Sequence, residues 1–144
     1  MVFGLFDPPQ TKAQKRAASS AQSLREQAVR DMLIELRILI GRQEQARQLQ
    51  LKLFSADHED AAMTIAAAIA AAQETIDRVG RFNESFPREL ADLKHAAVNG
   101  AGFEALASFE LEGRDFMMKV RDEAKAQLVP LGVMIMEARQ SIGG

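Results

Sequence analysis

Apolar positions recur at helical spacing along nearly the whole chain. In the first third they run Leu24, Ala28, Met32, Leu36, Leu39, Ala46, Leu49 and Leu53, in steps of three, four or seven. Gln43 and Gln50 interrupt that seam, and Val29, Leu33, Ile34, Ile38 and Ile40 widen it. A helix that is apolar on most of its circumference is covered on several sides. Asp7 can cap the start with Pro8 in the first helical position. Up to Phe54 only Gly41 opposes the helix, at about 1 kcal/mol. The pattern predicts one very long first helix, about 8–54, spanning ~65 Å at 1.5 Å per residue.

Further helices follow from caps and breakers. Ser55 or Asp57 can open a helix over about 57–81, with Asp57, Glu59 and Asp60 at its positive end. Its middle, Met63 to Gln73, is almost all Ala with Ile65 and Ile69, which suits close packing. Ser85-Phe86-Pro87 reads as the start of a helix over about 86–98 that buries Leu90, Leu93 and Ala97. Asn99-Gly100 closes it. A helix from Phe103 carries the stripe Leu106, Glu110, Gly113, Met117, Val120, Ala124 and Leu128, and Pro130 ends or kinks it. A short helix over 131–142 and a frayed 143–144 complete the chain. Alternating strands with hairpin turns are not found. The predicted fold is all-α: an elongated bundle of four to five helices with coiled-coil-like packing, in one domain over 1–144. The first helix is longer than its neighbours, so its N-terminal third is expected to project or to be covered by another chain.

Composition adds exclusions. The 144 residues are 47% hydrophobic and 26% charged, ordinary for a folded domain. Cysteine, Trp and Tyr are absent, which excludes disulfides, thiol catalysis, cysteine-ligated metals and phenolic acid–base chemistry. Residues 1–54 hold nine Lys/Arg against five Asp/Glu, net +4, and residues 55–144 nine against fifteen, net −6. A basic front and an acidic back suit an anionic partner or head-to-tail self-association. The opening apolar run stops at Asp7, too short for an export signal, and no uncharged apolar window of about 18 residues exists. The expected location is cytoplasmic, with peripheral membrane contact as the alternative. The apolar tip over 1–7, with Val2, Phe3, Leu5 and Phe6, precedes Lys12, Lys15 and Arg16, and the two together form a membrane or partner tip.

Few patterns carry chemistry. Gly100-Ala101-Gly102-Phe103-Glu104-Ala105 matches a dinucleotide fingerprint but follows a helix instead of the strand that motif requires. Asp92 and His95 share a helix face and could hold a metal, with Glu110 as a third group, but carboxylate-bridged metal bundles need more such elements. His58 sits among Asp57, Glu59 and Asp60, which reads as a solvated helix start. Glu110 falls on an apolar seam, where a Lys or Arg of the basic first helix is its expected partner. No catalytic residue, metal or cofactor is assigned, and a sequence pI of about 5.7 disfavours nucleic acid.

The tip Met1–Phe6, the basic stretch 12–30 and the Ala-rich stretch 61–72 resemble three groups of helical proteins. These are granule-coating phasins, long-helix export and assembly chaperones, and membrane-remodelling helical hairpins. The resemblance assigns no residue a role. The expected function is a non-enzymatic scaffold or adaptor that self-associates and binds a protein through its first helix, with Leu24, Ala28, Met32, Leu36, Leu39, Leu49 and Leu53 as the interface. The alternatives are a peripheral membrane or granule-surface protein and a metal-binding bundle using Asp92 and His95.

Overall fold

The structure, a computed structural model, describes residues 9–97 and 100–143. Those residues form three helices packed together: α1 (Pro9–Ser55), α2 (Glu59–Ala96) and α3 (Gly100–Gly143). No strand occurs among them. The all-α class therefore stands, while four to five helices become three. Asp7, Pro8 and Asn99, read as helix signals, lie outside the described residues.

Two prolines account for the lower count. Pro87 lies inside α2 and Pro130 inside α3. Each removes one backbone hydrogen bond and crowds the preceding turn, at about 3 kcal/mol. Each is also followed or preceded by side chains that the core holds: Phe86 beside Pro87, and Leu131 and Ile135 after Pro130, are all buried. Fully burying one large apolar side chain is worth about 1.5–3 kcal/mol. Each continuing segment holds more than one, Leu131 and Ile135 after Pro130 and Phe86 with the partly buried Leu90 and Leu93 around Pro87, so continuing the helix outweighs the local cost. Ser85 does not act as a cap; its hydroxyl donates to the Arg81 carbonyl one turn back, at 3.2 Å. Gly143 ends α3, and Gly144 lies outside the described residues.

The turn between α1 and α2 also differs from expectation. Asp57 has a φ of 62°, the left-handed conformation of the residue that follows a helix. The His58 amide donates to the Leu53 carbonyl at 2.8 Å and the Asp57 amide to the Phe54 carbonyl at 3.3 Å. That paired closure ends α1, so Asp57 terminates the first helix instead of opening the second. The His58 carbonyl accepts from the Ala62 amide at 3.0 Å and begins α2. Glu59 and Asp60 then stand in the first turn, where the helix dipole favours them.

Helix segments assemble into two compact units. Unit 1 joins 9–31 of α1 to 81–97 and 100–118. Its core holds Ala18, Ala21 and Ala28 of α1, Phe86 and Ala97, and Leu106 and Met117 of α3. Ala18, Ala97 and Leu106 form one cluster, with Leu90, Leu93 and Phe103 packed around it. The N-terminal third of α1 is thus covered by its own chain from Ala18 onward, because α2 and α3 are longer than the sequence suggested. Unit 2 joins 32–80 to 119–143. Met32, Leu36, Leu39, Leu49 and Leu53 meet Ile65, Val79, Val120, Leu131 and Ile135 as its buried apolar residues. Gly41 does not interrupt α1: Leu39 and Gln43 are buried on either side of it, and the glycine itself is exposed.

Candidate interaction surface

Unit 1 contains a charged site inside its core. Glu110 is 1% exposed. Its Oε2 accepts from Arg25 Nε at 2.5 Å, and its Oε1 is buried with no hydrogen-bond partner among the described residues. The first helix does supply the basic partner that the seam position of Glu110 called for. The Arg25 guanidinium also lies over the Phe86 ring, 5.1 Å from its centroid. A Cβ on Gly113 would stand 2.8 Å from the Phe86 ring and 3.0 Å from Arg25 Cδ. Gly113 is therefore required by close approach, and it gives the arginine its path to the carboxylate. Phe109, Phe86, Phe82 and Phe116 stack in that order, with ring centroids 4.5–4.6 Å apart. Arg25 holds the inward position that the apolar pattern gave to Leu24, and Leu24 is 47% exposed.

In unit 2 the buried polar side chains, among the described residues, are an amide and a hydroxyl, Gln43 and Thr75. Buried Gln43 donates to the Ile69 carbonyl at 3.1 Å and to Gln73 Oε1 at 3.0 Å. Thr75, fully buried, donates to Gln127 Oε1 at 3.1 Å. Gln50 reaches the Ala62 carbonyl at 3.4 Å. The two glutamines that interrupt the apolar seam thus tie α1 to the Ala-rich part of α2, where small side chains leave carbonyls within reach. Arg78 pairs with Glu123 between α2 and α3.

The other sequence candidates do not converge. Asp92 and His95 are exposed, whereas Glu110 is enclosed with Arg25. Among the described residues no group of three or more His, Cys, Asp or Glu side chains could hold a metal, so the Asp92/His95 centre is not formed. The turn Asp57–Ala61 lines an open hollow at the surface. Gly102 is explained by packing: a Cβ there would stand 2.6 Å from Ala97 Cα. Val2, Phe3, Leu5 and Phe6 lie outside the described residues. Lys12 and Arg16 are exposed, and Lys15 Nζ sits 5.5 Å from the Phe103 ring centroid. No helix among the described residues is long and apolar enough to cross a membrane.

Six of the seven expected interface residues, Ala28, Met32, Leu36, Leu39, Leu49 and Leu53, are buried within the chain itself. The apolar surface of α1 that stays open lies elsewhere. Ile34 is 58% and Ile38 45% exposed. Positions 34, 37, 38, 41 and 42 share one helix face, opposite the seam of 32, 36, 39, 43 and 46. Arg37 and Arg42 on that face are exposed, and among the described residues neither has an ion-pair or hydrogen-bond partner. A Cβ on Gly41, between them, would meet nothing within 4 Å. The signal was present in the sequence as the widened stripe Ile34, Ile38 and Ile40, but periodicity alone could not tell which of two apolar faces the chain covers. No protein-family model, curated protein or solved structure matches this chain.

Proposed function

We propose that this protein is a non-catalytic helical scaffold or adaptor that self-associates and binds protein through its long first helix. Its contact surface is the outer face of α1 in unit 2, and the packing is coiled-coil-like. The observation that carries this reading is the open state of Ile34 and Ile38 on a helix whose opposite side already fills a core. Two exposed isoleucines a turn apart, rimmed by unpaired arginines, are arranged as an anchor with a polar rim. Light scattering across a concentration series tests it. The wild type is expected to exceed 15.8 kDa as concentration rises, and Ile34→Asp/Ile38→Asp to lose that behaviour with unchanged helicity by circular dichroism. Equal masses for both proteins at every concentration would remove the reading.

The exposed Lys12 and Arg16 support a second reading, contact with an anionic lipid or granule surface beside the tip. Flotation of the full chain with anionic vesicles, compared with Lys12→Glu/Arg16→Glu, tests it. Absence of wild-type flotation would dismiss it.

A further inference from the structure

The outer face of α1 has a counterpart on α2 of the same unit. Positions 60, 63, 67, 70, 74 and 77 share one face of α2, opposite the buried Ala62, Ile65, Ala72 and Val79. Met63 on it is 64% exposed, and Ala67 and Ala70 are exposed. Asp60 stands at one end, Glu74 and Asp77 at the other. From Glu59 through Asp77 the helix carries four acidic residues and no basic one, whereas α1 as a whole carries nine basic and four acidic. One face is thus large, apolar and basic; the other is small, apolar and acidic.

We infer that the occupant of the α1 face is a second copy of this chain, which presents this α2 face. The inference rests on the reading of α1 as the contact surface. Ile34 and Ile38 lie against Ala67 and Ala70, whose short side chains admit them, with the flexible Met63 beside them. Arg37 and Arg42 find there the carboxylates that the described residues of their own chain do not supply. Gly41 receives an account that the isolated chain lacks. A mid-helix glycine costs about 1 kcal/mol relative to Ala, and nothing within its own chain needs the space; a neighbouring helix backbone does. The surfaces that meet are different, so two copies either pair them reciprocally about a two-fold axis or leave one face of each kind open for a further copy.

Two variants test this by complementation. Arg37→Glu/Arg42→Glu alters the α1 face, and Ala67→Arg/Ala70→Arg the α2 face. All four positions are exposed and all replacements are good helix formers, so helicity is expected to persist. Wild type is expected to exceed 15.8 kDa as concentration rises. Each variant alone is expected to stay at 15.8 kDa, with self-association weakened at least about tenfold, which is about 1.4 kcal/mol. Mixed, the two variants retain one intact face of each kind and are expected to associate with one another in equal proportion. If the Ala67/Ala70 variant assembles like wild type, the α2 assignment fails while the α1 surface stands. If the Arg37/Arg42 variant also assembles like wild type, both fail. A mixture that forms no complex, or a wild type that stays monomeric, overturns the second-copy inference.

Discussion

The two units cover their large apolar side chains differently. Unit 1 gives α1 only alanines as buried apolar residues, and fills the space with the Phe stack and the enclosed Arg25–Glu110 pair. Unit 2 uses an aliphatic core on all three helices, with amide and hydroxyl contacts at its edge. Among the described residues, ten of the twelve exposed large hydrophobics lie in unit 2, and Leu24 and Met118 in unit 1. Val129, Val133 and Met136 of α3 repeat the pattern of α1, open on the side away from buried Leu131, Ile135 and Ala138. A unit closed by a few irreplaceable contacts differs from one whose helices are apolar on both sides. The first encloses charge and aromatic rings, and the second leaves aliphatic side chains open at its surface.

Substitutions that separate the two behaviours can be ranked by expected effect, read as urea-unfolding stability at concentrations too low for assembly. Arg25→Ala should be the most damaging, at about 3–5 kcal/mol, because it strands a buried carboxylate. Replacing both partners, Arg25→Met/Glu110→Met, should restore most of that loss. A large loss from both variants alike would show that shape, not charge, makes unit 1 selective. Next comes Gly113→Val, which drives side-chain atoms into Phe86 and Arg25 and should cost about 1–3 kcal/mol.

Unit 2 should respond less. Gln43→Leu removes two hydrogen bonds but leaves Gln73 bonded to Arg47, so a cost of about 1 kcal/mol is expected. A loss as large as that of Arg25→Ala would erase the contrast between the units. Asp57→Gly should stabilise by about 0.5 kcal/mol, since glycine takes the left-handed conformation without a Cβ penalty. Ile34→Asp should fall within about 0.5 kcal/mol of wild type, as surface changes do. A marked destabilisation there would mean that the α1 face serves its own chain.

Much of the fold was legible residue by residue. The seam through Met32, Leu36, Leu39, Leu49 and Leu53 is buried as its spacing predicts, and the first helix ends within a residue of its expected limit. Glu110 stood out because a carboxylate on an apolar stripe demands a partner. Its partner was not legible, because Arg25 is one of several basic residues on α1, and pairing across 85 positions leaves no local mark. The open α1 face was hidden for a related reason: Ile34 and Leu36 are equally apolar, and only packing decides which one is enclosed.

By itself, then, the order of residues determined that the chain is helical, where α1 runs, and which positions form its inner seam, because these follow from spacing and propensity within a few turns. The tertiary structure alone decided that Pro87 and Pro130 sit inside helices, that Asp57 closes α1, and that Arg25 displaces Leu24 from the core. At the prolines and at Arg25 the outcome sets a local cost of a few kcal/mol against contacts with residues far away in the chain, and a local pattern contains only the first half of that balance.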